Sequence, residues 1–124
     1  MAVFYVGAGG AVGAVLRYLL TRAIPSARFP FATLAANVIA GFLIGFAVGL
    51  DGTAFEIPPK SKLVFNTGLL GGLSTFSTFS LETVRLFQDG KALVAAVYAA
   101  VSLLLALLCA ALGMAASKLI VRQN

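Results

Sequence analysis

The sequence predicts an all-α membrane protein of four membrane-spanning helices, with the third helix broken near its middle. Hydrophobic residues make up 60% of the chain and charged residues only 10%, a balance typical of integral membrane proteins. Charged residues are so few that four long stretches are almost free of them, each near the roughly 20 residues that a helix needs to cross a bilayer. The connections between these stretches are short, so we expect no extramembrane domain.

The four predicted spans follow one another in a single domain over residues 1–124. In the first, Arg17 and Arg22 follow the apolar run instead of preceding it, which favours a permanent helix over a signal peptide. The fourth is longer than a bilayer core requires and should tilt. The spans cover about residues 2–20, 29–50, 63–81 and 92–117.

The second half of the third span carries an unusual density of hydroxyl groups. Five of the seven residues 74–80 are Ser or Thr, and an unsatisfied polar group in hydrocarbon costs several kcal/mol. Such residues are tolerated where neighbouring helices satisfy them or where they line a water- or ion-filled path. Phe76 and Phe79 are three residues apart and share a helix face. The paired Gly71 and Gly72 lie near mid-span, where a helix is easiest to break. We interpret this segment as part of a permeation pathway.

Other neutral polar side chains lie at membrane depth, among them Thr33. Asn37 is near the middle of the second span, and its amide can donate two hydrogen bonds; it either joins helices or lines a pore. Tyr98 and Ser102 are four residues apart on one face of the fourth helix, with the same two alternatives. Hydrogen-bond donors, together with Arg17, favour an anion over a cation.

Several function classes are excluded by what the sequence lacks. There is no histidine, and the single cysteine is Cys109, so neither an ordinary transition-metal site nor an intrachain disulfide can form. No carboxylate lies mid-span, as a proton-coupled exporter would usually require, and Glu82 lies only near the end of the third span. No residue arrangement is typical of a hydrolase, so we expect no enzymatic activity. The basic residues lie at helix ends and in short loops, which argues against nucleic-acid binding despite a net charge of +5.

The nine Lys and Arg residues divide almost evenly between the two sides of the membrane, whereas an imbalance normally fixes orientation. Either other signals fix the topology, or the chain inserts both ways and pairs with an inverted copy. Four helices enclose little space, so we expect a pathway between subunits and hence an oligomer. One side holds Lys60, Lys62, Lys118 and Arg122, and the other holds Arg17, Arg22, Arg28, Arg85 and Lys91.

Three motifs resemble those of the Fluc (CrcB-type) family of fluoride channels, in the family's order and over essentially the whole chain. Residues 9–18 read Gly-Gly-Ala-Val-Gly-Ala-Val-Leu-Arg-Tyr, similar to a glycine-rich opening that ends in Arg. Residues 33–37 read Thr-Leu-Ala-Ala-Asn, similar to a Thr-Leu-x-x-Asn motif. Residues 71–80 read Gly-Gly-Leu-Ser-Thr-Phe-Ser-Thr-Phe-Ser, the most specific of the three. Small residues depart from the family pattern at Ala32, Gly41 and Ser74.

The resemblance implies passive, selective export of fluoride, and so fluoride resistance, through two pores of an antiparallel dual-topology homodimer in the bacterial plasma (inner) membrane. It implies a vestibule role for Arg17. It also implies a helix break at residues 71–74, where backbone carbonyls of Gly71 and Ser74 from both subunits would hold a structural Na⁺. The residues implied to line the pore or meet fluoride are Phe76, Phe79, Asn37, Tyr98, Ser102, Thr33, Thr75 and Thr78.

Two other functions compete with this one. A dual-topology small multidrug-type exporter has a similar size and four helices, but it relies on a carboxylate in its first span, which this chain lacks. A non-transporting membrane scaffold subunit would leave the hydroxyl density of the third span unexplained.

Overall fold

The computed structural model describes residues 1–51, 53 and 55–123, and within them it contains helices and no strand. This confirms the predicted all-α fold with a broken third helix. We call the two halves of the third helix α3a and α3b. The helices are α1 (Ala2–Ala23), α2 (Phe31–Leu50), α3a (residues 59–73, made of Pro59–Lys62, a π-helical stretch Leu63–Leu70, and Gly71–Leu73), α3b (Phe76–Gln88) and α4 (Ala92–Arg122).

Among the described residues, α1, α2 and α4 are each long and apolar enough to cross a membrane. The third helix crosses only as the sum of its halves. The predicted third span stops at Leu81, whereas α3b continues to Gln88. At 1.5 Å per residue, the 31 residues of α4 extend well beyond a ~30 Å hydrocarbon core.

The break in the third helix lies at Ser74 and Thr75, whose ψ angles of 152° and 119° are extended. The expectation that the break begins at Gly71 is wrong, because Gly71 is helical with φ −65° and ψ −36°. Thr75 instead caps α3b: its side chain accepts a hydrogen bond from the Thr78 N–H. Threonine is a favoured N-cap residue, so a hydroxyl and not a glycine sets the position of the break.

Glycines of α1 allow it to pack closely against α3a. A Cβ on Gly9 would collide with the Val64 carbonyl oxygen, and one on Gly13 would collide with the Leu69 carbonyl oxygen. Later residues of α1 meet later residues of α3a, so the two helices run in the same direction. This close packing is what the Gly9–Gly13 spacing predicts.

The second pair of parallel helices is α2 and α4. Gly41 lies against Ala106 and Gly45 against Ala110, whose carbonyl oxygen a Cβ on Gly45 would strike. The fully buried residues are mostly small, and many large apolar side chains are exposed, as in a protein that meets lipid or a partner. The buried apolar residues are Ala32, Ala36, Ala40, Leu70, Leu73, Ala95 and Tyr98.

The connection between α2 and α3a is closed by an ion pair of Lys62 and Asp51, 2.6 Å apart. The Lys62 hydrogen bond lowers the pKa of the Asp51 carboxyl below its ordinary value. The pair joins the end of α2 to the start of α3a and holds these two ends together.

Candidate functional site

A groove of about 340 Å³ runs along one side of the protomer between α2, α3a and α4 and ends at the helix break. We call it the break groove. It holds most of the residues that the sequence selects, set among small and apolar neighbours. Its lining residues are Asn37, Ala40, Gly41, Ile44, Asn66, Leu70, Gly71, Ser74, Thr75, Phe76, Phe79, Ser102, Leu103 and Ala106.

Asn37 replaces the hydrogen bonds that the break removes from the third helix. Its Oδ1 accepts from the Thr75 N–H at 2.7 Å, and its Nδ2 donates to the Thr75 carbonyl oxygen at 3.1 Å. One N–H of this amide has no acceptor among the described residues, and the side chain lines the break groove. Asn37 therefore joins two helices and also keeps a donor for the groove.

The hydroxyls that follow the break largely satisfy one another. The Thr75 hydroxyl donates to Thr78 Oγ1 at 3.0 Å and accepts from the Thr78 N–H at 3.2 Å. The Ser80 hydroxyl donates to the Phe76 carbonyl at 2.9 Å. The predicted role of Thr78 in the pathway stays a prediction, since Thr75 and not Thr78 lines the groove.

The two predicted pore rings lie in different surroundings. Phe76 and Phe79 share one face of α3b, with ring centroids 5.5 Å apart. Phe79 packs on the Tyr98 ring at 5.3 Å, whereas Phe76 is 78% exposed. One ring is thus fixed within the protomer, and the other points away from it.

Ser102 has an unsatisfied buried hydroxyl. The residue is only 6% exposed, and its Oγ has no hydrogen-bond partner among the described residues. A buried hydroxyl without a partner costs about 1–3 kcal/mol. Because Ser102 lines the break groove, an occupant of the groove would remove this cost.

Glu82 is half-buried and forms a polar cluster with two buried residues that the sequence selects. The Thr33 hydroxyl donates to its Oε1 at 2.9 Å, and the Tyr98 hydroxyl donates to its Oε2 at 2.7 Å. The sequence places Glu82 near the end of the third span; α3b continues past Leu81, so that Glu82 is its seventh residue of 13. Tyr98 and Ser102 therefore make different contacts: Tyr98 bonds to Glu82, and only Ser102 lines the groove.

The Arg17 side chain reaches from α1 to the C-terminal end of α3a, where its Nε donates to the Gly72 carbonyl oxygen at 3.2 Å. A cation is favourable at a helix C-terminus, where unbonded carbonyls carry partial negative charge. The contact anchors α1 to the break. The vestibule role implied for Arg17 stays a prediction.

The break leaves backbone carbonyls without donors. Among the described residues, no hydrogen bond reaches the carbonyl oxygens of Gly71, Leu73 or Ser74. Gly71 is on the surface of the protomer, and a Cβ there would meet nothing within 4 Å. The described residues contain no cluster of three or more His, Cys, Asp or Glu side chains for a metal. The carbonyl oxygens left without donors at the break are neutral oxygen atoms of the kind that suits a hard cation.

Sequence reasoning missed two residues of this region. Glu82 was placed at a span end, and its Thr33 and Tyr98 partners come from helices whose proximity only the fold reveals. Asn66 lines the break groove from α3a. Its signal was present in the sequence, since an amide inside an apolar span is unusual.

The chain matches a model of the family described as CrcB-like protein, Camphor Resistance (CrcB), over residues 4–114. It is 44% identical over 119 residues to a protein of Chlorobaculum tepidum, with 94% of each chain covered. It is 42% identical over 121 residues to one of Elusimicrobium minutum, again with 94% of each covered. A protein of Bordetella bronchiseptica is 43% identical over 117 residues, which is 94% of this chain and 91% of the relative.

All three relatives carry the name fluoride-specific ion channel FluC. The family model spans all four predicted membrane segments up to residue 114, and the three motifs of the sequence lie within it. Three apolar helices and this match make the chain an integral membrane protein, as expected for the bacterial inner membrane. The chain belongs to the CrcB-like family.

Proposed function

We propose that this protein is a fluoride-selective channel that passively exports fluoride from the cytoplasm and so confers fluoride resistance. The name shared by its relatives supports a channel and not an enzyme. The observation that carries the proposal is the unpartnered, buried Ser102 hydroxyl in a groove that also holds the spare Asn37 N–H and the Phe79 ring. Such a groove offers donors and ring edges to a small anion and contains no basic side chain that would trap it.

The mechanism is partial dehydration of the ion with replacement of its lost water contacts. Hydroxyl and amide donors and the positive edges of aromatic rings can each take the place of a water. The N-terminus of α3b adds to this. The N–H groups of Phe76 and Ser77 have no hydrogen-bond acceptor among the described residues, and a half-helix N-terminus favours negative charge. The Thr33 and Tyr98 hydroxyls would donate to the ion only after breaking their hydrogen bonds to the Glu82 carboxylate.

A second copy of the chain, inverted in the membrane, would complete each path. The break groove is open along one side, and the Phe76 ring beside it is exposed. An antiparallel homodimer covers two such grooves and so forms two pores. The near-even division of Lys and Arg supports insertion in both orientations. Tags on the C-terminus should then be accessible from both sides of the membrane in one population of cells; access from a single side would contradict the dual topology.

We further propose a structural Na⁺ at the dimer axis, held by the Gly71 and Ser74 carbonyls of both copies. Their lack of donors in the protomer supports this. Four neutral oxygens and no carboxylate suit one monovalent cation. The ion would cancel the negative end of α3a beside an anion path.

Efflux from liposomes tests the proposed function. Purified protein should release loaded fluoride down its gradient, with charge balanced by valinomycin and K⁺, and should release chloride far more slowly. A multidrug-type exporter would need a proton gradient and an organic substrate, and a scaffold subunit would behave like protein-free liposomes. Fluoride release no faster than from protein-free liposomes would refute the channel.

A further inference from the structure

Asn66 is a polar residue of the break groove for which neither the fold nor the proposed pore set gives a role. It lies within the π-helical stretch Leu63–Leu70, about halfway along α3a. Ile44 and Ala106 line the same part of the groove from α2 and α4. Asn66 therefore lies on the opposite side of the break from the cluster formed by Glu82, Thr33 and Tyr98.

The Asn66 side chain is partly buried, and no side-chain hydrogen bond among the described residues involves its amide. An amide has two donors and an acceptor oxygen to satisfy, and at membrane depth these groups need a partner in the protein, in water or in a ligand. Its groove neighbours Ile44, Leu70 and Leu103 offer none of these bonds. Something outside the protomer's own polar groups must satisfy the side chain.

The π-helical register explains why Asn66 faces the groove. A π-helix bonds each residue to the fifth one along, so residues four and five apart lie over one another. Asn66 thus shares one face with Leu70 and Gly71, and all three line the groove. The opposite face, with Val64, Leu69 and Gly68, is fixed against the α1 glycines.

The groove has room for water beside Asn66. A volume of about 340 Å³ holds roughly ten molecules at about 30 Å³ each. Two amides, Asn66 and Asn37, thus bracket a space that leads to the break.

We propose that Asn66 is an ion-binding residue at the entrance to the ion path, where its amide N–H donates to the partly hydrated anion before Asn37 does. This inference rests on the proposed fluoride channel. A donor at the entrance raises the local concentration of the anion and lowers the barrier to its first loss of water. A role in contacting a second copy is the competing outcome.

Matched variants separate these outcomes. Asn66→Leu removes the donors at similar volume, and Asn66→Asp replaces the donors with negative charge. Thr67→Val is the control, because Thr67 is the neighbouring polar residue of the same stretch but is exposed and outside the groove. Fluoride efflux is measured at several fluoride concentrations, and dimer content by size-exclusion chromatography in detergent.

Asn66→Leu should slow efflux at low fluoride roughly tenfold, the size expected for losing one hydrogen bond to a charged group, and the deficit should shrink as fluoride rises. Asn66→Asp should be slower still, and Thr67→Val unchanged. Wild-type efflux by an intact Asn66→Leu dimer would overturn the inference. So would a loss of dimer with normal efflux per remaining dimer, which would assign Asn66 to the interface.

A thiol probe tests the entrance without reference to fluoride. In a Cys109→Ala background, Asn66→Cys should react with the anionic, membrane-impermeant reagent sulfonatoethyl methanethiosulfonate. Thr67→Cys should not, because it lies in the same apolar stretch but outside the groove and would face lipid or the proposed partner. An unreactive Asn66→Cys would overturn an aqueous entrance. If wild-type protein releases no fluoride, the proposed function fails and the role of Asn66 in fluoride entry fails with it; a reactive Asn66→Cys would then still show a water-filled groove.

Discussion

Phe76 and Phe79 lie one turn apart on α3b but differ strongly in their surroundings within the protomer. The Phe76 ring is 78% exposed, while Phe79 packs against Tyr98 at 5.3 Å. An exposed aromatic ring beside a groove that holds hydroxyl and amide donors has its edge available to an anion. We therefore expect the position of the Phe79 ring to be set by contacts within its own protomer, and that of the Phe76 ring to be set by the molecule that covers the groove.

We predict that Phe76→Ile slows fluoride efflux about tenfold or more, because isoleucine keeps much of the bulk but removes the positive ring edge. Phe79→Ile should have a similar effect on efflux and should also loosen the contact with Tyr98. Efflux per dimer is the measurement, after chromatography has shown that the dimer assembles. Phe87→Ile, an exposed ring at the far end of α3b, is the control and should be neutral. Wild-type efflux by an assembled Phe76→Ile dimer would remove that ring from the pathway.

Site residues were predictable from the sequence where a polar or aromatic side chain is unusual at its predicted depth in the membrane. Asn37, Phe76, Phe79 and Ser102 all line the break groove, because polar or aromatic side chains in an uncharged span need a partner or a path. The partners themselves were not predictable. Glu82 gains its role from hydroxyls on two other helices, a proximity that no local pattern encodes.

At the scale of the element, the third helix shows how one residue type supports two structures. Paired glycine near mid-span is compatible with a break and with close helix packing, and the sequence does not decide between them. The structure uses Gly72 for packing on α1 and gives the break to Ser74 and Thr75. A tertiary contact sets the position of the break, because the Asn37 side chain of α2 forms hydrogen bonds with the N–H and the carbonyl of Thr75. The existence of a break was predictable, and its position was not.

The packing of α1 on α3a yields a prediction with an internal control. A Cβ on Gly13 would overlap the Leu69 carbonyl and come within 2.8 Å of the Leu73 nitrogen, whereas a Cβ on Gly7 would meet nothing within 4 Å. Gly13→Ala should therefore destabilise the protein by about 1–3 kcal/mol, the usual cost of overpacking, and should disturb the nearby break. Gly7→Ala should be neutral. Thermal unfolding in detergent, followed by circular dichroism, measures both; equal melting temperatures would contradict this packing.

At the scale of the whole molecule, a protomer with so small a core cannot enclose an ion path alone. Its buried apolar residues are mostly alanine, with few large side chains, and the break groove stays open along one side. Limited interior space was evident from four helices and short loops, so an oligomer could be expected from the sequence. The charge division between the two sides supports the proposed orientation, in which an inverted copy would present the same groove and the same break to its partner.

In the proposed dimer, two breaks that meet on a two-fold axis would place unbonded carbonyls of both copies in one region, and this arrangement predicts a dependence on Na⁺. Gly71 is open in the protomer, so Gly71→Leu should leave the protomer folded and yet prevent dimer assembly. Ser74→Ala should have a mild effect on dimer assembly, since the proposed ligand is its backbone oxygen.

Exchanging Na⁺ for N-methylglucamine should destabilise the wild-type dimer or stop fluoride efflux, and returning Na⁺ should restore both. The reason is that, without the cation, the carbonyl oxygens of the two copies would face one another with nothing to neutralise their partial negative charge. Dimer content and efflux in buffers freed of Na⁺ are the measurements. Equal stability and equal efflux without Na⁺ would refute the cation, while loss of the dimer in Gly71→Leu alone would mean that the two breaks meet but hold no ion.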